Sequence, residues 1–202
     1  MNAIFFDTDQ LAPSLWQRLQ LLGWQAAPSA DLSQAEWVLC MQPPAAAMWV
    51  QAPQAIWLLN DVGADVAVPP ERVAYRFCGW PGFTDRLVWE VAACTPAADA
   101  SHLPAMAQAL GVELRLVANV PGLVAPRVLA CIINEACFGL AEGICSPADL
   151  DTAMQLGTNY PQGPVSWARQ IGPDRVQHLL QRMAATDARY QPHPQLLDLL
   201  AP

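Results

Sequence analysis

Lysine is missing from the 202 residues, so all ten basic side chains are arginine. An anionic ligand must therefore be held by Arg, by backbone N–H groups or by a helix N-terminus. Charged residues of both signs make up only 14% of the chain, and the net charge is −8. That balance argues against general nucleic-acid binding and against a polybasic membrane anchor. No apolar run approaches the roughly 18 residues of a spanning helix. The opening MNAIFFDTDQ lacks the basic stretch that begins a signal peptide. The expectation is a cytoplasmic protein with neither membrane nor nucleic acid as a partner. Histidine is absent from the first 101 residues, and the three present (His102, His178, His193) show no ligand spacing with the cysteines. No metal site is expected on that pattern. The six cysteines lie far apart, with no C-x-x-C pair, and read as reduced, mostly buried thiols.

What is present is apolar: 53% of residues, with seven of the eight tryptophans before residue 118. In that first part short apolar runs alternate with Ala/Pro/Gln-rich stretches. AIFF (3–6), EWVLCM (36–41), AIWLLN (55–60), VAYRF (73–77) and ELRLV (113–117) predict strands. A helix is expected over 12–24, with Trp16, Leu19, Leu21 and Leu22 near helical spacing and Gly23 as its stop. Another is expected over 103–111. Strands and helices in this order with short crossovers imply a small, largely parallel α/β layer. The turn after the first strand, FFDTDQLAP, has no glycine and carries Asp7 and Asp9. A pyrophosphate needs small residues and N–H groups there, so this turn does not suit one. The two aspartates read as solvated loop or cap residues, or as carboxylates placed for a metal.

YRFCGWPGFTDRLVWEVA (75–92) is the densest motif of the first part. A strand leads into a Gly/Pro turn flanked by aromatics, then into an apolar run around Glu90. Trp80, Phe83 and Trp89 read as core. Glu90, between Trp89 and Val91, suits a proton-transfer partner if buried, and otherwise a solvated strand-edge or helix-cap carboxylate. Arg76 and Arg86 flank the turn, as candidates for an anionic ligand group or as surface charges.

The second part reads as helical throughout. Leu129, Ile132, Ile133, Ala136, Cys137 and Leu140 make one stripe at steps of three and four, and Pro126 places the start of that helix near Ala125. Gly143 ends it. Ser146 caps the next helix, with Pro147 at its first position and Asp149 three residues after the cap. Leu150, Ala153 and Met154 are expected to face inward, and Gly157 to stop the helix. GPVSWARQIG and GPDRVQHLLQRMAA each open with a Gly–Pro step, and HPQLLDLL closes the chain. Short, closely connected helices predict a compact bundle.

NVPGLVAPRVLACIINEACFGLAEGICSPADLDTAMQLGTNYPQGPVSWARQIG (119–172) resembles the C-terminal domain of the 3-hydroxyacyl-CoA dehydrogenases of fatty-acid β-oxidation. The matching features are P-G-[apolar]₂-x-x-R, N-E-A in mid-helix, E-G-x-x-S-P-x-D-[apolar]-D-x-A-M and G-x-x-Y-P-x-G-P. The form YPQGPVSWARQIG looks closest to the last domain of long bacterial members with two helical domains. Residues 75–118 resemble, more weakly, the end of the family's Rossmann domain. The resemblance implies a reduced, Rossmann-like α/β domain with a parallel sheet over 1–118, then an all-α bundle over 119–202. It also implies NAD-dependent oxidation of a 3-hydroxyacyl-CoA by a His–Glu dyad, and dimerisation through the helical domain.

Carried over by position, Glu90 falls on the dyad glutamate. Twelve residues earlier, where the histidine belongs, stands Cys78; anchoring on Pro81 instead gives Phe77. The helix asparagine before Arg127 is replaced by Pro126. The Asn-Thr-Ser-Ser segment appears as NDVGA, which keeps Asn60 and loses the serines. The proton-transfer positions are thus Glu90 and Cys78, and the substrate-side positions are Asn60, Arg76, Pro126 and Tyr160. No cofactor-binding residue is assigned, and NAD is not expected to bind. The resulting expectation is a homologue without its own catalysis that binds an acyl-CoA or forms a homodimer. The alternatives are an active component working with a partner chain that supplies the NAD domain, and a purely structural module.

Overall fold

The computed structural model describes residues 3–6, 13–26 and 32–201. The chain divides into two compact units, Met1–Leu123 and Val124–Pro202, a division five residues beyond the boundary expected at 118. The turn carrying Asp7 and Asp9 lies outside the described residues.

The first unit contains β1 (Ala3–Phe6), α1 (Pro13–Leu21), β2 (Trp24–Ala26), β3 (Trp37–Cys40), α2 (Ala46–Gln51), β4 (Ile56–Asn60), β5 (Ala74–Phe77), β6 (Val88–Ala93), α3 (Leu103–Leu110) and β7 (Glu113–Leu116). The strands form one sheet in the order β2-β1-β3-β4-β5-β6-β7. Every neighbouring pair is parallel except β5–β6. The α/β expectation for this part therefore holds, with one antiparallel step.

Successive strand residues point to opposite faces, and both faces are buried. On β4, Leu58 joins a cluster with Leu15, Leu19, Phe77, Trp89 and Met106. Its neighbours Trp57 and Leu59 join the other cluster, with Val38, Cys40, Trp49 and Ala74. The apolar runs are continuous because a sheet covered on both sides has no polar face to write.

Beside β6, which the sequence showed only as an apolar run around Glu90, β2 and α2 were not expected. β2 is three residues long and follows Gly23, whose φ of 86° makes the tight exit from α1. It is anchored by the Trp24 indole, which donates to the Ala109 carbonyl at 2.8 Å. α2 has six residues and no side-chain cap, so nothing local announces it. The inward face of α1 also differs from expectation: Leu15 and Leu19 are buried, while Leu21 is 89% exposed. At 100° per residue, positions 15, 19 and 22 share an arc and 21 falls well outside it.

The second unit is helical: α4 (Ala125–Ala141), α5 (Pro147–Thr158), α6 (Pro164–Ile171), α7 (Pro173–Ala184), a 3-10 turn (Ala188–Tyr190) and α8 (Leu196–Leu200). A proline stands in the first turn of α4, α5, α6 and α7, where its missing N–H and fixed φ cost nothing. On α4, Leu129, Ile133, Ala136 and Cys137 are buried as the stripe predicts, and Ile132 and Leu140 are half-buried. α5 departs from expectation. It buries none of its residues: Leu150 and Met154 are half-buried and Ala153 is exposed. It also runs past Gly157 to Thr158, and Asn159, in the left-handed region at φ 56°, forms its end. No described helix is long and apolar enough to cross a membrane.

Candidate functional site

The candidate residues Asn60, Arg76, Cys78 and Glu90 all lie in the first unit, around the ends of β4, β5 and β6. In the antiparallel β5–β6 pair, Tyr75 stands across from Ala93, Arg76 from Ala92 and Phe77 from Val91. The paired register ends there, and Cys78 is the first residue after β5; continuing the same count would bring it level with Glu90. Phe77, the other candidate position, belongs to the opposite face, in the cluster with Leu58 and Trp89. Arg76, one residue before Phe77, points away from that cluster. Cys78 is buried and Glu90 half-buried. On the far side of β6, Glu90 pairs in register with Arg115 of β7.

Asn60 terminates β4 and stitches three strand ends together. Its side-chain N–H donates to the Met41 carbonyl after β3 at 3.1 Å. Its side-chain oxygen accepts from the Gly79 N–H after β5 at 2.8 Å. Gly79 has to be glycine here, because a Cβ would lie 2.6 Å from Asn60 Cγ and 2.7 Å from Met41 Cε. The amide that the resemblance puts on the substrate side is therefore committed at both ends to the backbone.

Arg76 is fully buried. Nη1 donates to the Asp61 carbonyl at 3.4 Å. Burial pushes its pKa down, against the opposing pull of Asp61, Cys94 and Asp65. The Asp61 carboxylate folds the segment after β4 by accepting from the Asp65 and Val66 N–H groups at 2.9 and 3.1 Å. Arg86, by contrast, is exposed. It serves the Gly/Pro turn itself, donating from Nε to Gly82 O at 3.2 Å and lying 4.1 Å from the Phe83 ring centre. Trp80, Phe83 and Trp89 are core, with Trp89 stacked on Phe77 at 5.2 Å.

The other two candidates lie in the second unit. Pro126 is buried in the first turn of α4. Tyr160 is half-buried, its ring 5.5 Å from that of Trp167. Two residues that the sequence reading carried only as letters of its matching motifs organise this unit. Asn134, buried in mid-α4, donates to Gln191 O at 3.1 Å and accepts from His193 N at 2.8 Å, so it holds the closing segment to α4. Asp151 of α5 accepts from the Val165 and Ser166 N–H groups at 2.8 and 2.9 Å and from the Ser166 hydroxyl at 2.6 Å. It thereby caps α6, whose own N-cap, Gly163, has no side chain to do so. A third feature is an apolar groove of about 240 Å³ lined by Ile132, Ala136, Gly139, Leu150, Met154 and Pro164, with Glu135 also on its wall.

Residues 122–201 match the family described as 3-hydroxyacyl-CoA dehydrogenase, C-terminal domain. The chain is 41% identical over 87 residues to a 3-hydroxyadipyl-CoA dehydrogenase of Escherichia coli (strain K12), covering 42% of this chain and 18% of that protein. It is 36% identical over 94 residues to a probable 3-hydroxybutyryl-CoA dehydrogenase of Bacillus subtilis (strain 168), covering 46% of this chain and 33% of that one. The chain thus spans at most a third of the length of these curated relatives. In fold it is similar over 98% of its length to the crystal structure of M. tuberculosis FadB2, with a TM-score of 0.71, 16% identity and 84% of that chain covered. Over residues 122–201, the helical unit, the chain is similar to the C-terminal domain of the 3-hydroxyacyl-CoA dehydrogenases.

Proposed function

We propose that the chain is a family member that holds an acyl-CoA without oxidising it. The observation that carries this reading is in the sequence: Cys78, a thiol, stands twelve residues before Glu90, where the family's dyad needs an imidazole, and the first 101 residues hold no histidine. A positioned general base contributes roughly 10²–10⁴-fold to proton transfer. A thiol differs from imidazole in reach, pKa and hydrogen-bonding capacity. The residues present do not fit NAD either. FFDTDQLAP offers two acids and no glycine where a pyrophosphate would lie. Just after β3, which pairs with β1, Met41 is buried and its carbonyl is taken by Asn60.

The test is the purified full chain with 3-hydroxybutyryl-CoA and NAD, together with calorimetric titration of butyryl-CoA. Butyryl-CoA binding without NADH formation is the expected result. NADH formed by the chain alone overturns the reading. NADH formed only after a second chain with a complete NAD domain is added moves the chain to the partner-dependent alternative.

The helical unit is proposed to form a homodimer. The support is α5, which buries none of its residues, and the apolar groove that α5 shares with α4.

A further inference from the structure

Arg76 carries two N–H groups that the fold leaves unanswered. A guanidinium offers five donors and cannot lose its charge in a protein. Arg76 is 1% exposed. Among the described residues it makes one hydrogen bond, the long 3.4 Å contact from Nη1 to Asp61 O. Nε and Nη2 are buried with no partner. The nearby acids do not close the gap. The Asp61 carboxylate accepts from Asp65 N and Val66 N, Asp65 is exposed, and burial holds the Cys94 thiol protonated, with its pKa raised to about 11. A buried cation left short of partners is strongly destabilising, so its retention needs an explanation.

The identity of the two orphans supplies one. Nε and Nη2 are the side-on edge of the guanidinium, two roughly parallel N–H bonds that match the two oxygens of a carboxylate. We propose that the Nε/Nη2 edge of Arg76 is the seat of a ligand carboxylate, held bidentately. A free dicarboxylate and an acyl thioester ending in a carboxylate share this chemistry. Because Arg76 is 1% exposed, the seat fills only when the residues covering it give way. The inference stands apart from the acyl-CoA reading, since a free dicarboxylate would satisfy it.

The experiment is thermal unfolding of the full chain at constant ionic strength with glutarate, glutaryl-CoA, butyryl-CoA or chloride, for wild type, Arg76→Lys and Arg76→Met. At ten times the dissociation constant, glutarate or glutaryl-CoA should raise the wild-type melting temperature by about 3–6 °C. Chloride should not, and butyryl-CoA should bind no tighter to wild type than to Arg76→Met. Arg76→Lys, which keeps the charge and loses the fork, should bind at least about tenfold more weakly, and Arg76→Met should not respond to glutarate. A response to glutarate assigns a free dicarboxylate, and a response to glutaryl-CoA alone assigns an acyl carboxylate. Equal shifts in wild type and Arg76→Met, or none with either carboxylate, overturn the proposal. If Arg76→Met does not fold, the Arg Nε–H resonances of the wild type decide: a saturable shift on adding glutarate or glutaryl-CoA supports the seat, and unchanged resonances overturn it.

Discussion

Asp151 and Gly163 occupy one another's space. The Asp151 carboxylate sits where a Cβ on residue 163 would be, and from there it accepts the Val165 and Ser166 N–H groups that open α6. A helix start normally takes its cap from the residue just before it; here the cap comes from α5, and glycine leaves the room for it. Asp151→Ala should lower stability by about 1–2 kcal/mol. Gly163→Ala should cost a similar amount by displacing the carboxylate. The double variant should cost clearly less than the sum, because the two changes remove the same interaction. Urea unfolding of the four proteins measures the cycle, and additivity would show that the two residues do not act as one device.

Asn60 and Gly79 form the matching device in the first unit. Asn60→Ala leaves the Gly79 N–H and the Met41 carbonyl without their partner, at a cost of about 2–3 kcal/mol. Asn60→Asp keeps the acceptor for Gly79 and turns an oxygen toward the Met41 carbonyl, so it should also destabilise. Gly79→Ala should be at least as harmful, since the Cβ meets both Asn60 and Met41. Chemical denaturation reads all three. A fully stable Asn60→Ala would return the amide to a role on a ligand.

How far the sequence was legible follows from where each interaction is made. Ser146 capping α5, the prolines opening four helices and the Leu129–Ile133–Cys137 stripe are interactions within a few residues, and they were readable in advance. β2 and α2 were not, being three and six residues long and without periodicity. Asp151 was legible as a letter of the matching motif and not as a cap, because the groups it caps lie 14 and 15 residues away on another helix. The spacing of Cys78 and Glu90 could be counted, but not that the β5–β6 register ends at Phe77 and Val91. Arg76 could be placed near the turn; whether it faced solvent or core depended on which elements covered β5. Asn60 was legible as a position in the family and not as a clamp, because its partners are the backbones of two other strands.

Tyr75, Cys94 and Cys137 tie stability to alkaline pH. Burial and the Asp99 charge push Tyr75 up to about 12 from 10.0. Burial pushes Cys94 and Cys137 up to about 11 from 9.0. Each stays protonated in the folded chain at pH values where the unfolded chain has released its proton. The folded state then binds more protons, so stability falls as pH rises. The loss begins near pH 9 for the thiols and near pH 10 for the tyrosine, and continues to about 11 and 12. Cys137→Ala removes one of these contributions, so its urea midpoint should fall less steeply than that of wild type between pH 9 and 11. An unchanged slope would mean that the thiol titrates alike in both states.

The proposed dimer puts the groove of the helical unit to use. Ile132 and Met154 line it from α4 and α5 and are half-buried, so charge placed there faces any second copy seated on the groove. Leu156, on the same helix as Met154, is 83% exposed and does not line the groove. Sedimentation should show wild type self-associating, and Ile132→Glu and Met154→Glu weakening that association by about a hundredfold or more, as expected for apolar positions central to an interface. Leu156→Glu should leave it unchanged. All three substitutions add the same charge, so a general effect of net charge would move them together. Only a surface centred on the groove separates Leu156 from the other two, and a monomeric wild type, or equal weakening by all three variants, would remove the groove as its site.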